Sequence, residues 1–185
     1  VNNVNIFYLN SSPETCAKEH CDKHAIKMIL EYCQILSTAH RVLDGRSYTD
    51  KTTNGRSIQR YSLTDERLEN NLYKATHINH PSNIWVRKSS QHYEWLYELL
   101  YHTCREYTRR YNKVHKSESL LLYLFNVPEN LKDNGWIDPP PAMPDEYKVD
   151  GDVIQSYKNY YIGAKNSFAT WKSPSVVPNW FVVAN

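Results

Sequence analysis

Seven polar or ionisable side chains, Cys16, His20, His24, Lys27, Glu31, Gln34 and Thr38, recur at intervals of three and four residues. On an α-helix that spacing gathers them into one sector of about 80°. Ala25, Met28, Ile29, Tyr32 and Leu36 border the strip on one side, and Ile26, Leu30 and Cys33 on the other. A solvated face would instead be broad, rich in Lys and Glu, and opposite a single apolar stripe. A narrow strip holding two imidazoles between apolar borders predicts a crevice within the protein. Burial there favours the neutral forms of the histidines and of Glu31, and Lys27 and Glu31, four apart, can pair. These groups suit proton transfer. Lys27 would be a nucleophile or charge stabiliser, Glu31 a general acid or base, and His20 and His24 proton carriers or substrate contacts. The same residues would also serve as a buried hydrogen-bond network that only fixes helix packing.

A second constellation mixes cations with flat rings. Arg109, Arg110 and Lys113 lie near Tyr107 and Tyr111, and Tyr161 and Lys165 stand further on. Such pairs suit phosphates and unstacked bases. His77 and His80, with Arg87 just beyond, flank a His-Pro helix start where free N–H groups attract anions. A nucleotide or DNA is the partner these residues predict. No Gly-rich phosphate loop is present, so no nucleotide or dinucleotide cofactor is expected. Cys16, His20 and His24, completed by His77 or His80, have ligand-like spacing for a helical metalloprotein. His-Glu-x-x-His and Cys-x-x-Cys are both missing, so no bound metal is expected.

The elements that must position these residues follow from caps and periodicity. Asn5 to Leu9 reads as a short strand. Ser11 and Pro13 open a helix that should run to about His40. Residues 44–63 are polar, hold Gly45 and Gly55, and predict a mobile loop or lid. Thr64 would cap a helix to about Thr76, and Pro81 would start a short one. Ser89 or Ser90 would cap a long helix to about Tyr111, followed by a short helix from Ser117 to about Phe125. Pro139, Pro140, Pro141 and Pro144 keep the next stretch extended as a brace. Asp152 would cap a last helix over 152–170, and Trp180-Phe181-Val182-Val183 would pair as a strand with the first one. The reading is a mainly α, single compact helical domain over residues 1–185, with a short N-terminal strand paired with the C-terminal tail.

Composition sets the outer bounds. The 185 residues suffice for one core, and 41% apolar with 23% charged residues argues against disorder. The formal charge of +2 does not by itself mark a nucleic-acid binder. Residues 85–116 nevertheless hold seven Lys/Arg against three Asp/Glu, and residues 117–155 two against eight. That asymmetry could steer an anion to one face. Four cysteines without close pairing predict a reducing compartment, and no apolar run has membrane-spanning length, so a cytoplasmic protein without a membrane partner is expected.

Several runs carry a resemblance. Cys-Asp-Lys-His at 21–24 with Lys27-Met28-Ile29-Leu30-Glu31, Asn79-His80-Pro81-Ser82 with Trp85-Val86-Arg87, Arg110-Tyr111 and Pro140-Pro141-Ala142-Met143-Pro144 are among them. With Tyr160-Tyr161 and Ala169-Thr170-Trp171-Lys172 they resemble an uncharacterised family of marine tailed bacteriophages of the cyanophage type. The resemblance spans almost the whole chain and implies the cytoplasm of an infected bacterial host. The order of strand, polar helix, His-Pro segment and long helix ending in Arg-Tyr more distantly resembles phage pyrimidine-dimer DNA glycosylases. Those enzymes use an N-terminal amine and a glutamate on the first helix. Here Glu31 falls about a turn late and Lys27 stands nearer that place. The expectation is a phage enzyme acting on DNA bases or nucleotides by base excision or modification. A non-catalytic binding protein that captures a nucleotide or host factor is the alternative, and a helical metalloprotein is the other.

Overall fold

A computed structural model describes residues 5–182. The chain is mainly α, 48% helical, with seven α-helices among the described residues and one two-stranded antiparallel sheet. The expected first helix is two helices, α1 (Pro13–Glu19) and α2 (Asp22–Asp44). Ser12, not the expected Ser11, caps α1 by accepting from the Thr15 N–H, with Pro13 in the first turn as expected. His20 and Cys21 are extended, so the backbone turns between the helices and the helical register restarts at Asp22.

Asn5 to Leu9 is buried but forms no strand. Side chains meet part of its backbone instead, at Phe7 and Leu9. Phe7 N–H donates to Tyr32 Oη, the Cys16 thiol donates to the Phe7 carbonyl, and Leu9 N–H points at Cys16 Sγ. The expected pairing with the tail is therefore not formed among the described residues; Trp180 and Phe181 lie in a turn, and Val183 lies outside them. The sheet lies where a mobile loop was expected, as β1 (Arg46–Lys51) and β2 (Ser57–Ser62). Asn54 and Gly55 turn the hairpin, with Gly55 at φ +82°.

The expected helix over 64–76 shortens to α3 (Glu66–Glu69), capped by Asp65. The chain beyond it wraps the buried Arg41, whose guanidinium donates to the carbonyls of Tyr61, Glu69, Leu72 and Tyr73 and to the Glu69 carboxylate. Carbonyls that bond this cation are not free for a helical ladder. Helix α4 (Pro81–Val86) starts at Pro81, and α5 (Ser90–Tyr111) is capped by Ser89 and closed by Asn112 in the left-handed region. A 3-10 turn (Lys116–Leu120) leads into α6 (Leu121–Leu124). The proline-rich stretch is extended apart from a 3-10 turn at Asp145–Tyr147, and α7 (Val153–Ala164) ends several residues earlier than expected. α5 packs along α1 and α2, and α4 packs on α2. No helix is long and apolar enough to cross a membrane among the described residues.

Candidate functional site

The break between α1 and α2 decides which polar residues go inside. Cys16 and His20 leave the register of α2 and are fully buried. His20 Nδ1 donates to the Cys16 carbonyl at 2.7 Å, which leaves Nε2 to accept from Tyr32 Oη at 2.8 Å. Burial lowers the His20 pKa to about 4 and pushes the Cys16 thiol up to about 12. His20 is thus a neutral structural imidazole, not a proton carrier open to substrate. Cys16 and His20 are both engaged internally, and among the described residues no group of three or more His, Cys, Asp or Glu is arranged to hold a metal.

His24 sits at the first turn of α2, stacked on Phe7 with centroids 4.1 Å apart, and shares a 2.5 Å hydrogen bond with Tyr161 Oη. Phe168 meets its ring edge-on at 6.1 Å. Lys23 Nζ lies 4.3 Å from the Phe168 centroid, and Lys165 Nζ lies 4.6 Å from Tyr160 and 5.8 Å from Phe168. Burial, first, and then the nearby His20, Lys165, Lys27 and Lys23 hold the His24 pKa well below its ordinary value. The lysines acting on this ring put positive charge around a neutral imidazole.

From His24 the same face of α2 continues through Lys27, Glu31, Gln34 and Thr38. Lys27 Nζ is 3.9 Å from Glu31 Oε1; the lysine side chain is 55% exposed and the glutamate 16%. Burial raises the Glu31 pKa, Lys27 draws it back, and Glu31 Oε2 is buried without a hydrogen-bond partner. Thr38 accepts from Thr76 N–H and donates to the Thr76 carbonyl. Asn83 Nδ2 donates to the His77 carbonyl at 2.9 Å, while Asn83 Oδ1 and Ser82 Oγ are buried without partners. His77 holds φ +50°, a conformation that costs a residue with a side chain and recurs at functional sites.

The expected seam is therefore half right in its geometry. His24, Lys27, Glu31, Gln34 and Thr38 do share a face, but the border of Ile26 and Leu30 is 41% and 39% exposed. The strip opens to solvent along Ile26, Lys27 and Leu30, while His24, Thr38 and the third border residue, Cys33, are buried.

Comparison of the chain with protein-family models, curated proteins and solved structures returns no match.

Two residues expected to bind phosphate are committed to the interior. Arg110 is inaccessible and donates to Glu106, Ser175, the His20 and Lys18 carbonyls and Asp22. It closes the last turn of α1 and ties it to α5. Tyr161 is buried and accepts from Cys21 N–H besides bonding His24. Arg109 is paired with Glu106 and Ser175, and Arg87 donates to the Ile78 carbonyl. His80 accepts from Ser82 N–H as the cap of α4, whereas His77 and Lys113 are exposed and Lys165 joins the His24 cluster. Lys23 and Phe168 were not among the expected site residues. Lys165 and Phe168, three apart just past a helix end, were the available signal.

Proposed function

We propose that the chain binds the phosphate of a nucleotide or of DNA beside His24 and acts on the attached base, with Glu31 as the proton carrier. One observation carries this reading: Lys23 and Lys165 meet over the half-buried ring of Phe168, and both, with Lys27, bear on the adjacent His24. An anion approaching there exchanges water for ammonium groups, and a base can lie against the half-buried edge of Phe168. Glu31 supports the catalytic part. A carboxyl group whose pKa is raised by burial, with one oxygen unpaired, is better suited to give or take a proton than an exposed one. Lys27 fits the role of charge stabiliser better than nucleophile, because its half-exposed amine lacks the desolvation that activates a lysine. The bacteriophage setting implied by the sequence resemblance, in the cytoplasm of an infected host, accords with such a substrate.

A binding protein without turnover is the second reading. It is favoured by the internal bonding of His20 and Tyr161, which leaves Glu31 as the one proposed proton carrier. Both readings use the lysines, and Glu31→Gln separates them. Affinity for a fluorescent nucleotide and for a short single-stranded oligonucleotide should fall at least tenfold in Lys23→Ala/Lys165→Ala, with a shallower salt dependence. Unchanged affinity there refutes the proposal. On oligonucleotides carrying modified or damaged bases, Glu31→Gln should keep affinity and lose turnover by about 10²–10⁴-fold. Binding to wild type with no turnover on any such substrate leaves the binding protein as the surviving reading.

A further inference from the structure

We propose that the aromatic groove along the first half of α5 is a docking site for an extended polypeptide segment bearing lysine or arginine at alternate positions. The groove encloses about 670 Å³ and shares no lining residue with the His24 cluster. Trp95, Tyr97, Phe125 and Trp136 give it ring faces, with Tyr97 and Phe125 edge-to-face at 5.9 Å and Trp95 and Trp136 tilted at 6.0 Å. The polar ends of these rings are already used: Trp95 Nε1 donates to the Ser11 carbonyl, Tyr97 Oη to the Leu121 carbonyl, and Trp136 Nε1 to Asp138. What remains for a partner is the π-surface. Phe125 is 68% exposed, an apolar ring that a contact would remove from water.

Charge complementarity selects the occupant. Glu94 and Glu98 are exposed on the groove, and no Lys or Arg lines it. Aromatic faces beside carboxylates attract cations. Glu94 and Glu98 stand one helical turn apart, about 6 Å along α5. In an extended chain, side chains on one side repeat every second residue, also at about 6.5 Å. A peptide lying along α5 can therefore set one cation over each carboxylate while its backbone and intervening side chains cover the rings. A single small cation would engage only one of the two stations. His102 Nε2, 3.8 Å from Glu98, is the neighbouring group that an incoming cation would displace.

The test is fluorescence anisotropy of the intact chain with labelled nine-residue peptides, one alternating lysine with threonine, one with every lysine replaced by glutamate, and one with its lysines in a single block. The alternating lysine peptide should bind, more tightly at low salt, and at least tenfold better than the other two. Glu94→Gln/Glu98→Gln should weaken it at least tenfold with an unchanged melting temperature, and Phe125→Ala should weaken it several-fold. No binding of the lysine peptide overturns the proposal, as does equal binding by the glutamate or block peptide. Affinity unchanged in the glutamine variant also overturns it. So does competition by free arginine amide at the peptide's own concentration, which would mark a small-cation site.

Discussion

Replacing Arg110 with methionine removes the cation at the junction of α1, α2 and α5 while keeping most of the buried volume. Its Nε donates to Glu106 at 3.0 Å and Ser175 at 2.8 Å, Nη1 to the His20 carbonyl at 2.8 Å and Asp22 at 3.1 Å, and Nη2 to the Lys18 carbonyl at 3.0 Å. Its side chain has no solvent exposure, and those of Glu106 and Asp22 have little. Breaking a buried ion pair by removing one partner costs about 3–5 kcal/mol, because the remaining charge and carbonyls stay in place without donors. In a chain of this size that corresponds to a fall in melting temperature of about 10 °C. Asp22 also accepts from Lys172 N–H and Thr170 Oγ1, so the segment around residue 172 should become the first site of limited proteolysis. Urea denaturation followed by circular dichroism measures the loss. Arg110→Lys should recover less than half of it, since an ammonium cannot reach five acceptors in a fixed fork. A loss below about 1 kcal/mol would refute the structural role argued for Arg110. So would a wild-type melting temperature that rises with phosphate when that of the methionine variant does not.

Two further outcomes follow from other parts of the fold. At His20 the folded pKa is lowered to about 4 by burial, while the unfolded chain titrates near the ordinary value of 6.5. As pH falls from 6.5 to 4 the unfolded state takes up a proton that the folded state does not, so stability falls across that window, by about 3 kcal/mol. The gap between wild type and His20→Asn in urea titrations should narrow on going from pH 7 to pH 4.5, and a gap independent of pH would contradict this. At Gly45, a Cβ would lie 2.3 Å from the Arg41 carbonyl oxygen and 3.0 Å from that of Ser62, both backbone atoms at the joint between α2 and β1. Gly45→Ala should therefore cost about 1–3 kcal/mol by the same denaturation, and a neutral result would show that the joint shifts freely.

Local chemistry made part of this molecule legible. Proline at Pro13 and Pro81 and the hydroxyl of Ser89 mark helix starts because they act on the backbone within a few residues, although the cap of α1 falls on Ser12, one residue after the expected Ser11. The ladder from His24 to Thr38 was readable for the same reason, since a three-to-four spacing defines a helical face without reference to the rest of the chain. The hairpin was less legible: its strands are polar and largely exposed, so they lack apolar alternation, and Asn54-Gly55 was the signal that could have marked its turn. Asn5 to Leu9 misled in the opposite sense. An apolar run suits burial in any backbone state, and here side chains of Tyr32 and Cys16 take the place of a neighbouring strand.

By itself the sequence determined which residues can share a face and where helices can begin, because both depend on contacts between near neighbours. The tertiary structure alone decided which charges meet solvent. Arg110 and Tyr161 carry the residue types of a phosphate site, yet the break at His20 and Cys21 brings carbonyls, Asp22 and His24 to them, and they are satisfied inside. Lys23 and Lys165 lie far apart in the chain and act together only because the end of α7 returns to the start of α2 beside Phe168. Burial and potential are sums over segments distant in sequence, and no local spacing rule contains them.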